Sequence, residues 1–186
     1  MFSYIVYLKY RIEKLIKQAF FAGGCFWCTE SIFQRVKGVI EVVPGYMGGQ
    51  IKNPTYREVC NGNTGHTETI KVTYDQGLVT YSELLEIFFL THDPTTPNRQ
   101  GNDLGSQYRS AIFYNNLEEK IKIENSINSI QKKRVYDNPI VTEVNTQYPF
   151  YEAEVDHHNY YNHNKEQHYC KFVITPKVKK FESLFK

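Results

Sequence analysis

An α+β fold of the split βαβ type, with a mixed sheet carrying its helices on one face, is predicted by three features of this 186-residue sequence. Strand-like apolar runs alternate with segments of helical period; no internal repeat, low-complexity tract or flexible linker divides the chain; and its length suits one well-buried core.

Each element has its own signal, in order. Residues 1–17 read as an N-terminal extension and 18–186 as the single domain. In the extension Leu8, Ile12, Leu15 and Ile16 fall at helical spacing with Lys9, Arg11, Lys14 and Lys17 between them, predicting an amphipathic helix that packs on the core rather than on a membrane surface. Its opening apolar run lacks a basic region before it and a small-residue cleavage site after it, and is too short to span a bilayer. Ala19-Phe20-Phe21-Ala22 predicts a buried strand over 18–22, and Ile32, Phe33 and Val36 continue a helix over 26–36. Strands follow over 38–46 (Val39, Ile40, Val42, Val43) and 67–74 (Ile70, Val72, Tyr74). A helix over 81–91 is capped by Thr80 or Ser82, and after a strand over 109–114 a helix over 116–132 is capped by Asn115 or Asn116. A last strand covers 140–144, and beyond about 145 a long irregular tail rich in Asn, His and Tyr wraps the body or carries function.

Composition excludes several classes. The 22 basic and 20 acidic residues nearly cancel, so nothing favours nucleic acid or an anionic membrane. Four cysteines in a chain this long, with no leader recognised, argue against a disulfide-stapled secreted scaffold and for a reducing, cytoplasmic compartment. Nothing signals a dimer, so a monomer is expected. The tail histidines His157, His158, His163 and His168 match no tight ligand set, and no phosphate loop, dinucleotide fingerprint or haem motif appears, so no bound metal or cofactor is expected.

The chemistry concentrates at Gly23-Gly24-Cys25-Phe26-Trp27-Cys28, between the first strand and first helix. A helix N-terminus favours a thiolate, and two glycines beside a thiol permit close approach of another molecule. Plain core packing and half of a zinc site are the bland alternatives, but Cys60 and Cys170 stand alone and supply no second pair. Two polar, glycine-bearing segments lead into strands: Thr55-Tyr56-Arg57-Glu58-Val59-Cys60 with Gly65-His66-Thr67-Glu68, and Gln100-Gly101-Asn102-Asp103 with Gln107-Tyr108-Arg109. Such loops are where rigid scaffolds present functional groups.

With these residues in order, joined by Gly45-Tyr46-Met47-Gly48-Gly49, His92-Asp93-Pro94 and Ala153-Glu154 with His157, the chain resembles the peptide methionine sulfoxide reductases of the A type from about residue 19 to about 170. The resemblance implies a mixed-sheet α/β sandwich related to the split βαβ, ferredoxin-like type. It implies Cys25 as nucleophile on the sulfoxide sulfur, Glu68 as a protonated acid, Tyr56 and Tyr108 as hydroxyl donors to the oxygen, and Asp103 as the residue orienting that polar network. Phe26 and Trp27 would hold the S-methyl group. The Cys25 sulfenic acid would be resolved by Cys28, where many members carry glycine, or by Cys170, whose flanks here lack the glycines that usually let the tail swing; Cys60 is read as structural. The implied substrate is the S epimer of methionine sulfoxide, free or in proteins, and the implied reductant is thioredoxin or another dithiol. A general thiol-disulfide oxidoreductase using Cys25 and Cys28 is the rival, and it leaves Tyr56, Glu68, Asp103 and Tyr108 without a role. A zinc-stabilised binding module is the non-enzymatic one.

Overall fold

The computed structural model describes residues 15–185. Strand β1 (Ile16–Gly23) alternates its side chains: Ala19 and Phe21 enter the main core, while Phe20 and Ala22 enter a smaller cluster on the other side of the sheet. The chain turns into helix α1 (Phe26–Phe33) and returns as β2 (Val39–Met47). After the short helix α2 (Tyr56–Cys60), strand β3 (Thr67–Asp75) inserts between β1 and β2 and runs antiparallel to both. Two parallel strands joined through a helix but separated by a third strand are the split βαβ unit.

A second such unit follows. Helix α3 (Tyr81–Thr91) leads through the two-residue strands β4 (Arg99–Gln100) and β5 (Asp103–Leu104) and a 3-10 turn at Ser106–Tyr108 into β6 (Ser110–Tyr114), which pairs antiparallel with the free side of β1. Helix α4 (Leu117–Lys132) then leads to β7 (Glu143–Thr146), parallel to β6, and β8 (Tyr151–Glu152) extends the opposite edge beside β2. The sheet order is therefore β7-β6-β1-β3-β2-β8, a mixed α+β sheet as the sequence predicts. Helices α1, α3 and α4 share one face. Phe21 stacks there with Phe33, Tyr81 and Phe88, four rings each contributing about 1.5–3 kcal/mol by burial.

Predicted boundaries hold to within a few residues, and α3 spans the predicted 81–91. Thr80 is its cap, in a reciprocal box with Glu83, and Asn116 caps α4 by accepting from the Glu119 amide. The first helix stops at Phe33, three residues short, and the last predicted strand lies instead at Glu143–Thr146, where it pairs with β6. The predicted amphipathic helix lies outside the described residues up to residue 14, and its last position, Ile16, belongs to β1, paired with Asp75.

The long tail wraps the molecule. It forms a 3-10 turn at Val155–His157, the single-turn helix α5 (Tyr160–His163), a π-helical turn at Cys170–Ile174 and, where the sequence predicts an irregular tail, a regular helix α6 (Thr175–Phe185). Val178 and Phe181 bury α6 on the body, against α1 and α3. Among the described residues no helix is long and apolar enough to cross a membrane.

Candidate active site

Topology brings the site together at one edge. Because β1 and β3 are antiparallel, the end of β1 that delivers Cys25 lies beside the start of β3 that delivers Glu68, and in the β2–β3 register Tyr46 faces Glu68. Gly24 makes the turn between β1 and Cys25 with φ +89°, and a Cβ there would lie 2.4 Å from Gln100 Cγ, so both conformation and space require glycine. Cys25 is the residue capping α1, with extended rather than helical backbone, and it is 7% exposed.

Glu68 is buried, and its Oε2 accepts a hydrogen bond of 2.9 Å from the Phe26 amide. Burial raises its pKa to about 8, the charges of Asp103 and Cys28 add to this, and the Phe26 hydrogen bond only partly opposes them. A carboxylic acid therefore stands protonated at neutral pH beside the nucleophile's amide neighbour. The Tyr56 and Tyr108 phenols are both pushed up, first by burial and then by the charge of Glu68, which places their neutral hydroxyls within the field of that acid. Tyr56 is fixed by Glu154: its amide donates to Oε1 at 2.8 Å, while the buried Tyr46 hydroxyl donates to Oε2 at 2.9 Å.

The thiols correct one expectation. Burial first, then the hydrogen bond and charge of Cys28, raise Cys25 well above the ordinary thiol range, whereas Cys28, hydrogen-bonded by Cys25, is lowered to about 7. The start of α1 does not make Cys25 the acidic thiol, because burial outweighs it. The two sulfurs titrate as a pair that gives up its first proton near 7 and holds its second far longer.

Around the thiols lies an aromatic enclosure. Phe26 is fully buried and packs against the rings of Tyr46, Tyr56 and His157. Trp27 stacks on Tyr160 with centroids 3.7 Å apart and planes 6° apart, meets His157 on another side and Tyr169 edge-on. Cys170 is buried in the same cluster as Cys25 and Cys28, with Tyr108, Tyr160 and Tyr169 packed against it. The Tyr169 hydroxyl donates to Asp103 Oδ2 at 2.7 Å and lies 3.8 Å from Cys28 Sγ. Cys60 is the hydrogen-bond neighbour of Tyr56, at the end of α2.

Cys25, Cys28, Cys170, Phe26, Trp27, Tyr56, Glu68, Asp103 and Tyr108 thus lie in one region. Sequence reasoning missed the weight of Tyr46, Tyr160 and Tyr169, and of Glu30, a buried carboxyl whose Oε1 accepts the Asn159 amide at 2.7 Å and so anchors the tail segment carrying Tyr160. The left-handed backbone of Asn159 was the available signal, hidden in an Asn-rich stretch. The tail histidines go separate ways: His157 packs on Tyr56, His158 bonds the Ala153 carbonyl at 2.9 Å, His163 meets Asn159 and His168 packs on Phe172. Among the described residues no group of three or more His, Cys, Asp or Glu is arranged to hold a metal.

Fold and site define a thiol-based oxidoreductase in which a cysteine pair and a protonated carboxyl meet at the start of one helix among packed aromatic rings. Residues 17–186 match the family model described as peptide methionine sulfoxide reductase. The chain is 56% identical over 163 residues to the peptide methionine sulfoxide reductase MsrA of Sulfolobus acidocaldarius, covering 88% of this chain and 92% of that one. It is 53% identical over 163 residues to the MsrA of Saccharolobus solfataricus, at 88% and 91% coverage. The crystal structure of Mxr1 from Saccharomyces cerevisiae in reduced form superposes with a TM-score of 0.79 at 32% identity, covering 84% of this chain and 90% of that one. A structure of Mxr1 in complex with Trx2 shares the fold, with a TM-score of 0.56 at 23% identity over 79% of this chain and 86% of that one. The chain belongs to the peptide methionine sulfoxide reductase family, in its A-type (MsrA) branch, and is an enzyme of that class.

Proposed function

We propose that this protein reduces the S epimer of methionine sulfoxide, free or within proteins, to methionine by the following division of labour. Phe26 and Trp27 receive the S-methyl group. Cys25 attacks the sulfoxide sulfur as Glu68 gives its proton to the sulfoxide oxygen, and the Tyr56 and Tyr108 hydroxyls donate hydrogen bonds to that oxygen as its charge grows. Asp103 orients the network. The bond formed between the two sulfurs and the substrate S–O bond then break as the oxygen bonds to the Cys25 sulfur, so methionine leaves reduced and the oxygen remains as the hydroxyl of a sulfenic acid on the oxidised Cys25. A second thiol, Cys28 or Cys170, converts this to a disulfide, and thioredoxin or a similar dithiol protein returns it to thiols. The domain over 18–186 carries this activity, with 1–17 an extension to it. A monomer in the cytoplasm, where dithiol reductants are maintained, fits the four unpaired cysteines.

The observation that carries this reading is Glu68, a carboxyl buried at 2% exposure, bonded to the amide that follows Cys25 and raised to about 8. General thiol-disulfide exchange has no sulfoxide oxygen for this acid to protonate. The test is a single turnover of pre-reduced protein with each epimer of a blocked methionine sulfoxide. One methionine per protein from the S epimer, and none from Cys25→Ser, is expected. No methionine from either epimer overturns the proposal and returns the disulfide-exchange reading.

A further inference from the structure

Of the two thiols proposed to answer the Cys25 sulfenic acid, the structure distinguishes one. Cys28 lies one helical turn beyond Cys25, and its amide donates to the Cys25 carbonyl at 3.0 Å, so the two side chains share one end of α1. Cys25 is outside the helix proper, with extended backbone, which leaves its side chain free of the helical rotamer restriction. Cys28 has a hydroxyl beside it that also bears on Cys25: Tyr169 Oη is 3.8 Å from the Cys28 sulfur and 2.7 Å from Asp103 Oδ2. Cys170, fully buried in the π-helical turn, is held by its own backbone, its carbonyl accepting from the Thr175 hydroxyl at 2.9 Å.

We propose that Cys28 is the thiol that resolves the Cys25 sulfenic acid, and that Tyr169 is the positioning residue that holds the Cys28 sulfur for the attack. The inference rests on the reductase reading above. The Cys28 sulfur forms a bond to the Cys25 sulfur as the Cys25 S–O bond breaks. Cys28 is oxidised, the sulfenic sulfur is reduced, and both end in the disulfide. The proton released by Cys28 moves along the Tyr169 hydroxyl toward Asp103, and the departing hydroxide takes one proton to leave as water, so no further reactant is needed.

The Cys28 environment suits an attacking thiol. In the reduced protein the groups whose charge or hydrogen bonds bear on it are Cys25, Tyr169, Lys177 and Asp103, and with burial they leave its ionisation near 7. Cys170 is instead raised, first by burial and then by the charge of Cys28.

The experiment is the same single turnover, quenched by alkylation and followed by peptide mapping of the full chain, in wild type and Tyr169→Phe. That variant keeps the ring that packs edge-on against Trp27. A Cys25–Cys28 bridge is expected in wild type. In Tyr169→Phe the bridge should form about tenfold more slowly near pH 7, with the first thiol midpoint, read by thiolate absorbance against pH, moved upward. A Cys25–Cys170 bridge with methionine formed would overturn the assignment of Cys28 and leave the reductase reading intact. An unmoved thiol midpoint and an unchanged bridging rate in Tyr169→Phe would overturn the role of Tyr169. No methionine at all sinks the reductase reading, and this inference with it.

Discussion

Glu68 and the Cys25–Cys28 pair have complementary requirements: the acid must keep its proton and the pair must lose one. With the pair giving up its first proton near 7 and Glu68 holding its own to about 8, the single-turnover rate of methionine formation should trace a bell. It rises as pH climbs through about 7, because the Cys25–Cys28 pair loses its first proton, and falls above about 8, because Glu68 ionises. Rates measured across this window check both limbs; a rate that keeps rising past the Glu68 limb would remove that residue as the acid. Glu68→Gln keeps an acceptor for the Phe26 amide but has no acidic proton. It should lower the single-turnover rate by about 10²–10⁴-fold, and the falling alkaline limb should vanish. In an assay of insulin disulfide reduction the same variant should be near wild type, since that chemistry needs no acid at the substrate oxygen.

The elements that carry these groups are held by a few contacts between distant parts of the chain. Helix α1 presents Trp27 on one side and buries Glu30 on the other, and Glu30 ties the tail backbone at Asn159 so that Tyr160 lies flat on the indole. Trp27 is the only tryptophan, so the fluorescence of the protein's indole reports on this one site. Tyr160→Ala should shift its emission to longer wavelength as water reaches the ring, and should raise KM for sulfoxide peptides more than it lowers kcat, because it removes a pocket wall and no reacting group. Gly24→Ala is the severe change at the turn before α1. Its added Cβ meets the Gln100 side chain at 2.4 Å on a backbone at φ +89°, a combination costing about 1–3 kcal/mol or more, measurable by denaturant unfolding. The α3 cap is milder: Thr80→Ala removes one side of its capping box and should cost about 1 kcal/mol without touching turnover.

Across the molecule, two buried carboxyls give stability a characteristic pH dependence. Glu30 is raised to about 7 and Glu68 to about 8, both chiefly by burial. In the unfolded chain they ionise from about 4.5 upward, so the unfolded state loses protons that the folded state retains. Stability should therefore fall as pH rises from about 4.5 through 7–8, and the fall should be shallower in Glu30→Gln. Urea unfolding at several pH values checks the sign; a stability that rises over this window would show that other groups dominate.

Much of this architecture was legible in the chain. Strand and helix periods, the Thr80 and Asn116 caps and the glycine pair before Cys25 are local signals, set by backbone sterics and by the burial of one face, and these determine α1, α3, α4 and the core strands. The ordered motifs likewise fixed the family and the set of residues to watch. Local signals fail where a segment's partner is far along the chain. The tail carries too little apolar period of its own to announce α6; it is ordered by Glu30, by Trp27 and by the burial of Val178 and Phe181. The proton states of Cys25, Cys28 and Glu68 are equally tertiary. A helix N-terminus in the sequence argues for an acidic Cys25, but desolvation and the neighbouring sulfur, which exist only once β1, β3 and the tail have closed over the site, make Cys25 and Cys28 share their ionisation as a pair and keep the proton on Glu68.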